Sequence, residues 1–112
     1  MEFKIEDLEY ALERYTNIVG EIEDKSDRKN TNKRQAFINA FIGEANIYQL
    51  RDLFSIKDTN NIRYAFKKHN EKLLTQLDYN ENFVVAKSIR LKMLSSKYDE
   101  KVLKKIEASE VH

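Results

Sequence analysis

The chain contains no cysteine, no proline and no tryptophan, and only two glycines, Gly20 and Gly43, in 112 residues. Without cysteine there are no disulfide staples and no thiolate metal sites. The two histidines, His69 and His112, are too few for a His cluster, so no metal is expected. Two isolated glycines cannot build a phosphate-cradling loop, which excludes nucleotide-driven chemistry, and no other cofactor is implied. No nucleophile stands beside a base, so the chain is not expected to be an enzyme. Absent proline and scarce glycine leave little to interrupt helices, and an all-α fold follows. No apolar run approaches membrane-spanning length, and the opening MEFKIEDLEY is too acidic and interrupted for a signal peptide. The protein is expected in the cytoplasm, away from membranes.

What is present suits one small globular unit. At 41% hydrophobic and 35% charged residues, the chain can bury a core beneath a well-solvated surface. Residues 1–112 read as a single domain, with a helix-turn-helix core over about 5–78 and a C-terminal helical extension over about 79–112. The formal net charge of +1 hides an asymmetry. Residues 1–24 carry eight acidic groups against Lys4 and Arg14, a net of −6, whereas residues 25–72 carry eleven basic groups against five acidic ones, a net of +6. A basic segment of this kind suits a polyanionic partner, although a charge-rich surface also alternates signs for solubility alone.

About six helices are expected. Ile5, Leu8, Leu12 and Tyr15 recur on one stripe and predict a core-facing helix over residues 5–16. Thr16, Asn17 and Gly20 are poor helix-interior residues, which places a bend there and a short helix over residues 20–24. The run KSDRKNT, residues 25–31, has no apolar residue and reads as a basic loop. Residues 32–45 carry Ala36, Phe37, Ala40, Phe41 and Ala45 on one side with Ile38 and Ile42 beside them, enough for the central, most buried helix. After residue 79, helices are expected over 81–95 and from 96 onward, where Ser96 and Asp99 have capping-box spacing.

The informative stretch is NIYQLRDLFSIKDTNNIRYAFKKHN, residues 46–70. Asn46 is placed to cap a helix over 47–54, Ser55, Ile56 and Lys57 make a break, and Asp58 caps a second helix from Thr59. Along that second helix Ile62, Ala65, Phe66, His69 and Leu73 form the inward stripe, while Thr59, Asn60, Arg63, Lys67 and Lys68 point away. An amide-rich, basic outer face on a second helix is what major-groove reading requires: Asn can bond adenine edges, Arg guanine, and Lys phosphates. Short helix-turn-helix geometry also occurs in proteins that never touch DNA. His69, on the inward stripe, is expected as a boundary histidine with one satisfied nitrogen.

The order of these features resembles the C-terminal DNA-binding domain of the bacterial chromosomal replication initiator DnaA, over residues 10–74. In that family a helix ends in an aromatic followed by Asn-Ile, as Tyr15-Thr16-Asn17-Ile18 does here. A short helix and a basic loop follow, then a long helix opening with Arg-Gln, as Arg34-Gln35 does. The family signature Arg-Asp-His-Thr-Thr-Val corresponds to Lys57-Asp58-Thr59-Asn60-Asn61-Ile62. By that resemblance Arg28 would probe the minor groove, Lys57 and Asp58 would stand at the major-groove entrance, and Thr59, Asn60 and Asn61 would face bases or phosphates. Thr59 replaces the family's His, Asn60 and Asn61 replace its Thr pair, and the usual glycines before the signature are absent, so the DNA sequence read should differ from the initiator's own. A stand-alone domain of this kind looks like a phage or mobile-element regulator.

The expectation is a duplex DNA-binding helix-turn-helix protein regulating transcription or replication, with Lys25, Arg28, Lys29, Lys33, Lys57, Thr59, Asn60, Asn61, Arg63 and Lys67 as its contacts. The alternative is a protein-interaction module or inhibitor that uses the acidic N-terminal helix to engage a partner. The C-terminal helices, with Lys97, Lys101, Lys104 and Lys105 opposite an apolar stripe, suit either a homodimer contact or a cap on a monomer.

Overall fold

The first helix, α1 (Ile5–Val19), is held in the core by Leu8, Ala11 and Tyr15. In the computed structural model, which describes residues 3 to 110 and so leaves Glu2 and His112 outside the described residues, this helix continues through the expected bend. Thr16 Oγ1 donates to Glu13 O at 3.1 Å, giving the hydroxyl a partner within the helix, and Val19 packs against the core. The helix stops at Gly20, whose φ of +95° turns the chain out of the helical path. The expected short helix over residues 20–24 does not form. Side chains of the next helix hold this segment by its backbone instead: Asn30 Oδ1 accepts from Glu23 N at 2.9 Å, and Arg34 donates to Glu23 O at 3.0 Å and to Lys25 O at 2.8 Å.

Helix α2 (Arg28–Phe41) begins four residues before the expected start, because Asp27 acts as its N-cap, its Oδ1 accepting from Asn30 N at 2.9 Å. Arg28 and Lys29 therefore lie in a first helical turn rather than in a loop. Ala36, Phe37, Ile38, Ala40 and Phe41 are all buried, so this is the central helix as its apolar width implied. Phe37 stacks on Phe41 at 4.5 Å between ring centroids and meets Tyr15 at 5.3 Å and Phe54 at 5.6 Å.

Helix α3 (Ile47–Leu53) is opened by a reciprocal cap. Asn46 Oδ1 accepts from Gln49 N at 2.9 Å, and Gln49 Oε1 accepts from Asn46 N at 3.0 Å. A turn through Ser55, which has the left-handed φ of +53°, leads to Asp58, whose Oδ1 accepts from Asn60 N at 2.9 Å and opens α4 (Thr59–Thr75). Leu50 from α3 and Ile62 and Ala65 from α4 are buried, which fixes the two helices against the core.

Helix α5 (Leu77–Glu110) is one uninterrupted helix of 34 residues, where two had been expected. It contains no glycine or proline, and Ser95 and Ser96 cost a helix interior only a few tenths of a kcal/mol, so the capping signature at Ser96 gives way to continuation. Its N-terminal half packs on α1, α2 and α4, burying Tyr79, Ala86 and Ile89. Lys97 Nζ reaches Asp7 Oδ2 of α1 at 3.2 Å, and past that point Tyr98, Leu103 and Ile106 are exposed. The described residues are thus all-helical, with five helices.

A polar layer joins α2, α4 and α5 above the aromatic core. Asn39 Nδ2 donates to Gln35 O, Ala65 O and the Tyr79 hydroxyl at 2.9 to 3.0 Å. Lys72 Nζ donates to Asn32 Oδ1 at 2.9 Å and Gln35 Oε1 at 2.6 Å, and Asn32 Nδ2 donates to Gln76 Oε1 at 2.7 Å. Such bonds fix the register of α4 on α2, because each buried polar atom has one arrangement that satisfies it.

Candidate nucleic-acid interface

The second helix of the helix-turn-helix presents a continuous polar stripe. With Ile62 and Ala65 committed to the core, helical periodicity turns Asn60, Asn61, Arg63 and Lys67 to solvent, and all four are exposed, as is Lys57 in the turn before them. Thr59 is half-buried at the start of the helix. Asn60 is braced locally: its Nδ2 donates to Asp58 Oδ2 at 3.3 Å, and its Oδ1 accepts from Arg63 Nη1 at 3.4 Å. The amide and the guanidinium are therefore held side by side on one turn, next to the Asp58 carboxylate that caps the helix N-terminus.

Tyr64, which the sequence reading had not singled out, is 53% exposed, with Lys68 Nζ 5.7 Å from its ring centroid. It lies four residues after Asn60, so the period that marked the polar stripe would have found it.

The remaining expected contacts are dispersed. Lys33 is not at a surface: its side chain is buried, and Nζ donates to Glu21 O at 3.1 Å. Its place one turn into α2 directs it under the Gly20 turn, where it ties α2 to the segment after α1 instead of facing solvent. Arg28 is exposed but bonded to Asp78 Oδ1 at 3.5 Å and Gln76 Oε1 at 3.5 Å, beside the C-terminal end of α4. The 17 residues of α4 span about 25 Å, so Arg28 and Lys29 lie at the opposite end of that helix from Asn60. Lys25 is exposed and ion-paired with Glu23 at 3.1 Å. Lys57, Thr59, Asn60, Asn61, Arg63 and Lys67 form one cluster on α4 and the turn before it; Arg28 and Lys29 do not join it, and Lys25 stands between Asp24 and Ser26, which line the same groove as Lys57 and Asn61.

His69 is half-buried, with Nδ1 2.7 Å from the Tyr79 hydroxyl, and burial holds its pKa below the usual imidazole value. Burial likewise lowers that of Lys72. Among the described residues no group of three or more His, Cys, Asp or Glu is placed to hold a metal ion, and no helix is long and apolar enough to cross a membrane.

Fold and surface together describe an all-helical chain carrying a helix-turn-helix whose second helix displays amides and cations. Comparison with protein-family models, curated proteins and solved structures finds no match.

Proposed function

We propose that this chain binds duplex DNA, with the first two turns of α4 entering the major groove. The observation that carries this reading is the stripe of Asn60, Arg63 and Lys67, exposed on a helix whose other side is anchored by Ile62 and Ala65. A rigid helix bearing a paired amide and guanidinium near its N-terminus has the chemistry for adenine and guanine edges, while Lys57 and Lys67 supply phosphate contacts. The resemblance to the DnaA C-terminal domain supports the same element as the reader, and the differences at Thr59, Asn60 and Asn61 imply a different site. The role proposed is a phage or mobile-element regulator of transcription or replication, acting in the cytoplasm.

The test is selection of a randomised duplex pool at about 50 and about 200 mM salt. An enriched motif with affinity falling steeply between the two supports a sequence reader, and no retention at the lower salt removes the proposal.

A second reading, a protein-interaction scaffold, is favoured by one observation: carboxylates crowd the cleft between α1 and the turn that precedes α4.

A further inference from the structure

An open groove of about 1490 Å³ runs between α1, the segment after Gly20, α2 and the α3–α4 turn. Its floor is apolar. Leu12, Ile22, Ile38, Leu53, Phe54 and Ile56 line it, and all but the buried Ile38 are half-buried side chains packed on the core with part of their surface left to solvent. Its edges are acidic. Glu9, Glu13, Glu21, Glu23, Asp24 and Asp52 line it, every one exposed. Glu23 is paired with Lys25 and Asp52 with Arg51, whereas none of the described residues forms an ion pair with Glu9, Glu13, Glu21 or Asp24. The two cations of the lining do not balance this charge. Arg34 is committed to the carbonyls of Glu23 and Lys25, which leaves Lys57 at the far edge.

We infer that this groove is a docking site for a basic amphipathic helix of a protein partner, one whose apolar stripe is flanked by Lys or Arg. The geometry and the charge point the same way. A polyanion is repelled by the edges, a wholly polar cationic chain leaves the apolar floor uncovered, and a helix with both features covers the floor while its flanking cations face the carboxylates. Asn61 and Tyr64 of α4 form part of the far wall, so an occupant would lie against one flank of the proposed reading helix. This inference does not rest on the DNA reading.

The probe is a synthetic peptide of roughly 18 residues built from Leu and Lys with a 3.6-residue period, compared with a peptide of identical composition in alternating order. The full chain should bind the periodic peptide at least about tenfold more tightly than the alternating one. Binding should move the methyl resonances of Ile22, Leu53 and Ile56 and leave those of Leu103 in place. The variant Glu9→Lys/Glu13→Lys/Asp24→Lys, altered only at exposed positions, should lose about tenfold or more in peptide affinity while unfolding as wild type does. Equal binding of both peptides, undiminished binding by the variant, or methyl shifts confined to α5 would each overturn the inference. None of these outcomes depends on whether the chain binds DNA.

Discussion

The hydroxyl of Tyr79 on α5 lies 2.7 Å from Nδ1 of His69 on α4 while accepting from Asn39 Nδ2 at 3.0 Å. Buried and already accepting from the Asn39 amide, the hydroxyl has His69 Nδ1 within reach as the acceptor for its own proton, an arrangement that suits the neutral tautomer carrying hydrogen on Nε2. Protonating Nδ1 would turn acceptor into donor and leave the Tyr79 proton without its partner.

A pH dependence follows from this pair. The folded-state pKa of His69 lies below its unfolded value near 6.5, so the unfolded chain binds more protons once the pH drops below about 6.5. The stabilisation is fully present above that value and is lost as pH falls through the folded pKa. Urea midpoints at about pH 7.5 and pH 5.5 should show wild type weakened by acid. The variant His69→Gln, which keeps an acceptor but cannot charge, should show a flatter profile. An identical slope in the variant would place the acid sensitivity elsewhere.

Alkali should destabilise the fold for a related reason. Burial pushes the Tyr79 hydroxyl up to about 12 and raises that of Tyr15, which donates to Lys33 O at 2.8 Å. Both remain protonated in the folded chain at pH values where the unfolded chain ionises, so stability is lost as pH rises above about 10. Tyr79→Phe should cost roughly 1–3 kcal/mol near neutrality, by leaving His69 Nδ1 without its donor, and should blunt the alkaline loss. Chemical unfolding across that range provides the check.

Ser55 carries the left-handed φ that sets the α3–α4 turn. Ser55→Gly should be nearly neutral or stabilising by up to about 1 kcal/mol, since relief of the Cβ strain offsets the added chain entropy. A β-branched Ser55→Val should cost about 1–2 kcal/mol. Equal stabilities for the two variants would show that the turn is not strained.

Lys33 and Lys67 separate structure from binding. Lys33→Ala removes a buried stem and the bond to Glu21 O, so it should lower unfolding stability by about 1–3 kcal/mol while the folded fraction keeps its DNA affinity. Lys67→Ala should leave stability within about 0.5 kcal/mol and weaken binding to all duplexes alike, reducing the salt slope by about one. Unfolding curves and salt titrations of the two proteins should show opposite patterns.

These contrasts follow what was readable in the chain. The stripes of α1 and α4 and the caps Asn46 and Asp58 were legible because periodicity and N-capping act within a few residues. The Asp27 cap was missed because a run without apolar residues resembles a loop, although the helix that follows is anchored by Ala36, Phe37 and Ile38 farther on. The continuity of α5 was missed because Ser96 and Asp99 mimic a local start signal that an unbroken helix with tertiary support overrides. Lys33 carries no local mark of burial: only the fold brings the carbonyl of Glu21 over it. The acidic groove is likewise assembled from four separated segments, so neither its floor nor its edge is visible along the sequence.

The most direct measurement compares wild type with Asn60→Ala and Arg63→Ala on the duplex selected from the randomised pool and on an unrelated duplex. The account expects both variants to fold as wild type does, to lose about 1–3 kcal/mol on the selected duplex and to change little on the unrelated one. Undiminished affinity of both variants for the selected duplex would contradict α4 as the reading helix.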